Sequence, residues 1–253
     1  MTSHPPSSCC YKGVKHEGTA AGRLKAYDDF EVYISEPANH SSKGILFITD
    51  VVGHKFINAQ LLADQFAANG YSKHVEGWYF VMIPDLFHGD PVPLNHPEEF
   101  DIMAWLQGAY NGNKFQHLPP SVDPIIEKSL SIMRSEIGAV GYCFGAKYVV
   151  RFLDNVKLHA GFMAHPSFVE RAELEAIKAP LTIAAAEDDF MFPPDKRKES
   201  EEILGKLDIP TQINLYLGNS HGFAVRCDLS VSRQKLAKEA AFMQAVLWFD
   251  TLL

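Results

Sequence analysis

The chain has 253 residues, of which 47% are apolar and 21% charged, and its formal net charge is −8. This length suits one large α/β domain with its own core, and these fractions exclude a disordered chain. The acidic balance gives no electrostatic reason to bind nucleic acid or an anionic membrane, so neither is expected as a partner.

Residues 1–22 are predicted to form a flexible N-terminal tail ahead of a single domain over 23–253. The first ten residues are polar and rich in Pro and Ser, without the basic start and apolar run of a signal peptide. No apolar stretch approaches transmembrane length. The four cysteines, at positions 9, 10, 143 and 227, do not resemble a disulfide framework. We therefore expect a cytoplasmic protein with reduced thiols, and we place Cys9 and Cys10 in the loose tail.

Short apolar runs alternate with segments of helical period along the domain. In chain order, the predicted elements are strands 30–34 and 44–49, helix 57–68, strand 79–83, helices 97–110 and 122–135, strand 137–140, a helix from 145, strand 158–164, helix 172–178, strand 181–186, helix 196–207, strand 212–217 and helix 232–253. Strands that alternate with helices predict a mostly parallel central sheet with helices on both faces.

The sequence GYCFG at 141–145 follows a predicted strand and opens a predicted helix. This pattern is typical of a nucleophile elbow, with Cys143 where serine is commoner. Glycine at both ends lets the backbone turn tightly, and the start of a helix favours a thiolate at Cys143. The amide of Phe144 then points to where an oxyanion would form. A buried structural cysteine in a Gly-rich turn is the alternative that this motif alone leaves open.

Two further motifs at strand ends supply candidate partners for Cys143. The strand 181–186 runs into the acidic residues 187–189, at the edge of a parallel sheet where ligands bind. His221 follows the last predicted strand. Nucleophile, acid and histidine occur in this chain order in α/β-hydrolases, where the acid orients the histidine and the histidine activates the nucleophile. Singly, each residue could cap a helix or lie in a loop, but the three in order predict a catalytic triad.

At these positions the chain resembles the dienelactone hydrolase family. The stretches that carry the resemblance are TDVVG at 49–53, PDLFHGD at 84–90, GYCFG at 141–145, EDDFMFP at 187–193 and SHGF at 220–223. The resemblance implies an α/β-hydrolase fold and hydrolysis of a small ester or enol lactone without a cofactor. It also implies that the acid is Asp189, four residues before a proline, rather than Asp188.

The resemblance extends to the oxyanion hole and to a neighbouring carboxylate. The second oxyanion amide is implied to be that of Val51, beside Phe144. Asp50, the residue before Val51, stands where family members commonly carry a glutamate that contacts the resting cysteine. Asp is one methylene shorter than Glu, so its side chain reaches less far toward Cys143. Two interpretations of Asp50 therefore stay equally open: it helps to activate Cys143, or it orders its own loop.

Arg226 is a candidate for substrate binding. It lies five residues after His221, offset by one position from one of two arginines that hold a substrate carboxylate in bacterial members. The second arginine has no counterpart, since no arginine occurs in residues 24–133. A weaker grip on a carboxylate follows, and the substrate is predicted to be a small ester, lactone or thioester.

We expect a monomer or small homo-oligomer that forms an acyl-thioester intermediate. No metal is expected, because the histidines show no ligand spacing such as HExxH. Three alternatives stay open: a trans-acting thioesterase or lactonase of a biosynthetic pathway, a non-catalytic ligand-binding protein of the same fold, and a redox-sensing thiol protein with Cys227 as the resolving cysteine. An insertion at 72–78 receives no role.

Overall fold

A computed structural model of the chain describes residues 1–27, 29–37, 41–69, 79–97, 99–110, 112, 115–154 and 157–253. The insertion at 72–78 lies outside the described residues. The fold below concerns the described part of the chain.

An eight-stranded sheet forms the centre of the fold. Its strands are β1 (Arg23–Tyr27), β2 (Phe30–Ser35), β3 (Lys43–Ile48), β4 (Phe80–Pro84), β5 (Glu136–Tyr142), β6 (Ala160–Ala164), β7 (Leu181–Asp188) and β8 (Thr211–Ser220). They lie in the order β1-β2-β4-β3-β5-β6-β7-β8. The pairs β1–β2 and β2–β4 are antiparallel, and every other pair is parallel. This arrangement confirms the predicted α/β-hydrolase fold.

Helices connect and flank the strands. They are α1 (Ile57–Ala68), α2 (Ile102–Leu106), α3 (Pro119–Ile132), α4 (Gly145–Phe152), α5 (Arg171–Glu175), α6 (Pro194–Leu204), α7 (Phe223–Arg226) and α8 (Ser232–Leu252), with a short 3-10 helix at Ser8–Cys10. Among the described residues, none of these helices has the length and apolar character needed to cross a membrane.

The central strand β5 shows how both faces of the sheet are covered. Gly138 and Gly141 are three residues apart, so side chains at these two positions would point to opposite faces of the sheet. A Cβ on Gly138 would lie 2.7 Å from the ring of Phe249 in α8, and one on Gly141 would lie 2.6 Å from Val149 in α4. Helices α8 and α4 therefore pack on opposite faces, at a distance that only glycine permits.

Helix α2 and strand β1 show where the structure differs from the sequence-based expectation. The helix predicted over 97–110 is only Ile102–Leu106, because the Asp101 side chain caps it by accepting hydrogen bonds from the amides of Met103 and Ala104 at 2.9 and 3.0 Å. Strand β1 was not predicted. It lies at the sheet edge with mostly exposed side chains, so it carries no apolar run to reveal it.

The N-terminal segment, defined as residues 1–22, also differs from the expected flexible tail. Cys10 and Tyr11 are buried in the main hydrophobic core. The amide of His4 donates to the carbonyl oxygen of Met191 at 2.7 Å. Backbone hydrogen bonds and several buried side chains hold the segment, and neither leaves a signal in a polar, Pro-rich sequence.

The packing of Tyr11 gives a first test. Its side chain is 1% exposed, and its ring meets that of Phe100 edge-on with centroids 5.4 Å apart. Tyr11→Ala should lower the free energy of unfolding by about 3 kcal/mol, because it leaves a cavity where a buried aromatic ring stood. Urea denaturation measures this change. The control is Val14→Ala, at a 41% exposed position of the same segment, which should cost about 0.5 kcal/mol or less. Equal stability of the two variants would show that the segment is not packed in solution.

Candidate active site

Cys143 lies in the tight turn between β5 and α4. Its φ is 53°, a left-handed value that is rare outside glycine and costs backbone strain. A Cβ on Gly145 would lie 2.0 Å from the carbonyl oxygen of Ile48, and one on Gly141 would lie 2.6 Å from the carbonyl oxygen of Gly145. Both flanking positions therefore require glycine. The turn leaves the fully buried thiol of Cys143 at the N-terminal end of α4.

Asp189 and His221 meet where β7 and β8 end. His221 Nδ1 lies 2.9 and 3.0 Å from the two carboxylate oxygens of Asp189. The carboxylate also accepts hydrogen bonds from the amides of Met191 at 2.8 Å and Phe192 at 3.2 Å, which fix its position. Asp188, the other acid considered, is exposed. With Nδ1 bonded to Asp189, the His221 ring presents Nε2 to the thiols of the site.

The charges around the thiol favour its ionised form. Burial alone would raise the pKa of Cys143, but hydrogen bonding from Cys10 and the charge and hydrogen bond of His221 lower that pKa well below its ordinary value. Burial alone would lower the pKa of His221, but the charges of Asp189 and Cys143 raise it well above its ordinary value. The pair therefore favours a thiolate beside an imidazolium. The Oγ of Ser167 lies 3.6 Å from the Sγ of Cys143, within hydrogen-bond reach of a thiolate.

Two backbone amides are placed near the elbow by different elements. Phe144 directly follows Cys143 at the start of α4, and Val51 lies in the turn that follows β3. The carbonyl oxygen of Val51 accepts a hydrogen bond from the amide of Val92 at 2.8 Å, which anchors that turn. Within the described residues neither the Val51 nor the Phe144 amide donates a hydrogen bond. Both are therefore available as donors to an oxyanion.

Asp50 and Arg226 form a buried ion pair, with both side chains no more than 2% exposed. Asp50 also accepts a hydrogen bond from the amide of Val52 at 3.0 Å. Arg226 donates to the carbonyl oxygens of Lys12 at 3.1 Å and Cys9 at 3.3 Å. Burial alone would lower the pKa of Arg226, but the charge of Asp50 raises it, so the guanidinium stays charged.

These contacts bear on the interpretations of Asp50 and Arg226. The hydrogen bond to Val52 and the ion pair favour loop ordering for Asp50. Arg226 links that loop to the N-terminal segment, and its side chain already serves three acceptors. In this structure the Arg226 guanidinium is therefore already occupied by protein acceptors and is not free to bind a substrate carboxylate.

Two cysteines of the N-terminal segment lie at this site, which sequence reasoning missed. Cys10 Sγ is 3.6 Å from His221 Nε2. The Sγ of Cys9 lies within 4.8 Å of both of those atoms. Hydrogen bonding from Cys10, helped by the charge of His221 and opposed by burial, lowers the pKa of Cys9 to about 6. Adjacent cysteines in a Pro- and Ser-rich stretch look the same whether the stretch is loose or docked, so no sequence signal could have found them.

His165 packs against the ring of His221. The ring centroids are 5.0 Å apart and the planes meet at 66°. His165 is fully buried, and within the described residues neither of its ring nitrogens has a hydrogen-bond partner. Burial lowers the pKa of His165 well below its ordinary value, so the ring is neutral. This arrangement favours a packing role for His165.

Comparison with known proteins identifies the family. The sequence model described as the dienelactone hydrolase family matches residues 30–253. The chain belongs to the dienelactone hydrolase family. It is similar to the protein named Hydrolase tropI of Talaromyces stipitatus, with 53% identity over 99% of this chain and 98% of that protein. It is also similar to Hydrolase pyvD of Aspergillus violaceofuscus, with 49% identity over 100% of this chain and 99% of that protein.

A solved structure shares the fold of this dienelactone hydrolase family member. The putative dienelactone hydrolase from Klebsiella pneumoniae superposes with a TM-score of 0.68 and 15% identity, covering 87% of this chain and 92% of its own. At that identity the likeness shows the α/β-hydrolase fold alone. The family assignment makes the chain a hydrolase, and it confirms the resemblance read from the sequence motifs.

The buried ion pair yields a second test. Arg226→Met should lower the free energy of unfolding by about 3–5 kcal/mol, because it leaves the Asp50 carboxylate buried and unpaired. Urea denaturation measures this loss. The matched variant Asp50→Asn/Arg226→Met removes both charges and should recover part of that loss. Asp50→Asn alone completes the comparison. If the stability losses of the two single variants simply add in the double variant, the two side chains are not coupled, which would contradict this account.

Proposed function

We propose that this protein is a cysteine hydrolase that cleaves a small ester, lactone or thioester with the triad Cys143, His221 and Asp189. The observation that carries the proposal is the contact of His221 Nδ1 with both oxygens of Asp189 at 2.9 and 3.0 Å, at the site where the elbow holds Cys143. A histidine fixed in this way has one ring nitrogen left for the nucleophile.

Each residue then has a defined step. His221 takes the proton of the Cys143 thiol, and the resulting thiolate attacks the substrate carbonyl. The amides of Val51 and Phe144 donate to the oxyanion, the tetrahedral intermediate collapses, and the alcohol, enol or thiol leaves with the proton from His221. An acyl-thioester on Cys143 remains. His221 next takes a proton from water, which attacks the thioester and releases the acid.

The nucleophile restricts the substrate class. Thiolate is itself a good leaving group, so a tetrahedral intermediate with a poor leaving group returns to substrate. Enol lactones, activated esters and thioesters carry leaving groups that compete with the thiolate. The engagement of Arg226 with Asp50 supports a role for both residues in ordering the site, ahead of binding a substrate carboxylate.

The triad is closed to solvent in this conformation. Cys143 is fully buried and the His221 side chain is 2% exposed. Cys10 of the N-terminal segment contacts the nitrogen of His221 that the nucleophile needs. Movement of residues 9 and 10 away from His221 is therefore part of the proposed cycle, and it precedes substrate binding.

Kinetics of variants test the triad. Cys143→Ala should lower kcat for p-nitrophenyl acetate, measured under reducing conditions, by about 10³-fold or more. Cys143→Ala/His221→Ala should be no slower than Cys143→Ala, because the two residues act as one unit. Cys227→Ser replaces another buried cysteine and should retain the rate of the unmodified protein. cis- and trans-Dienelactone, assayed in parallel, report whether an enol lactone is accepted.

The same assay separates the alternatives. Hydrolysis by the unmodified protein that persists in Cys143→Ala would overturn the assignment of the nucleophile. No hydrolysis of activated esters, dienelactones or acyl thioesters by the unmodified protein would instead favour a ligand-binding protein that retains the fold.

A further inference from the structure

We propose that Cys9, Cys10 and His221 form a binding site for a thiolate-preferring divalent metal ion such as Zn²⁺, and that the bound ion inhibits the hydrolase. The first half stands on the geometry of the three side chains. The second half rests on the proposed function, since it requires His221 to act in hydrolysis.

The three donor atoms are of the right kind and at the right separation. Two thiolates and one imidazole nitrogen form a donor set that zinc takes in proteins, with a fourth position left to water. The Sγ of Cys10 lies 3.6 Å from Nε2 of His221. Two such donors on one tetrahedral zinc ion are about 3.5 Å apart, from bond lengths of about 2.3 Å to sulfur and about 2.0 Å to nitrogen. The Sγ of Cys9 is within 4.8 Å of both, so a small side-chain adjustment completes the trio.

The surroundings orient the histidine as a ligand. A metal-binding histidine almost always donates its other ring N–H to a carboxylate, which fixes the ring and makes the free nitrogen more basic. His221 Nδ1 has this bond to Asp189 at 2.9 Å. The same contact that suits His221 to catalysis therefore suits its Nε2 to a metal ion.

The backbone around the two cysteines is also held. Both lie in the 3-10 helix Ser8–Cys10, and Arg226 donates to the carbonyl oxygen of Cys9 at 3.3 Å. Cys10 is fully buried whereas Cys9 is partly exposed, so Cys9 offers the route by which an ion enters. With two thiolates and a neutral imidazole the Zn²⁺ site would carry no net charge, so the bound ion would add no positive charge beside the Arg226 guanidinium, which contacts the backbone of Cys9.

Binding has two consequences for hydrolysis. The ion would displace any protons on Nε2 of His221 and on the two thiols into solution. It would then occupy the lone pair of His221 Nε2, so this nitrogen could not take a proton from Cys143 or from water. It would also tie residues 9 and 10 to His221 and so hold the N-terminal segment over the thiol. Inhibition should therefore be reversed by a chelator.

The binding experiment uses the full-length, reduced, metal-free protein titrated with Co²⁺ as a spectroscopic probe and with Zn²⁺ as competitor. We expect one Co²⁺ per chain, a thiolate-to-cobalt charge-transfer absorption, and displacement by Zn²⁺. Cys9→Ser should weaken Co²⁺ binding at least tenfold and reduce that absorption. Cys227→Ser, the matched control, should bind as the unmodified protein does. No charge-transfer absorption in the unmodified protein, or equal weakening in both variants, would overturn the site.

The inhibition experiment follows p-nitrophenyl acetate hydrolysis against free Zn²⁺, with each variant compared with its own metal-free rate. Cys9→Ser should need at least tenfold more Zn²⁺ for half-inhibition than Cys227→Ser. Cys143→Ala should lose hydrolysis and retain the cobalt absorption, which separates the two proposals. Cobalt binding in a protein that hydrolyses nothing would overturn the proposed function and support the metal site. Hydrolysis without cobalt binding would overturn the metal site and support the proposed function.

Discussion

The seating of Cys143 depends on a close approach of two backbones. Gly145, at the start of α4, leaves no room for a side chain against the carbonyl oxygen of Ile48 at the end of β3. That approach forces the sharp turn in which Cys143 takes a φ of 53°. It also brings the loop that carries Val51 next to the elbow. Packing of the sheet and the helix thus positions the proposed nucleophile and the proposed oxyanion donors, before any side-chain contact is made.

A second layer of contacts surrounds this turn. Asp189 is held by two amides of its own loop and in turn holds His221. Arg226 joins the loop of Asp50 to the backbone of the N-terminal segment, so three separate parts of the chain meet at one buried ion pair. The same network that orders the site also brings Cys10 against His221. Catalysis and metal inhibition, as proposed, would compete for one ring nitrogen.

Sequence reasoning succeeded where a local pattern reports its own structure. Apolar runs and helical periods predicted most strands and helices. The glycines of 141–145 predicted a tight turn, and the structure shows the close backbone contacts that require them. It failed where long-range contacts decide. Cys10 contacts His221, and Arg226 pairs with Asp50; in both cases the partners are more than 170 positions apart in the chain. Edge strand β1 and the docked N-terminal segment were missed because backbone hydrogen bonds leave no trace in composition.

The most direct test of the central claim is to identify the residue that becomes acylated. The reduced protein is mixed with p-nitrophenyl acetate, quenched in acid within the first turnover, and analysed by intact mass and peptide mapping. The account predicts one acetyl group per chain, on the peptide that contains Cys143, and none on Cys9 or Cys10. Acetylation of Cys9 or Cys10 with Cys143 unmodified, in a protein that turns over the ester, would contradict it.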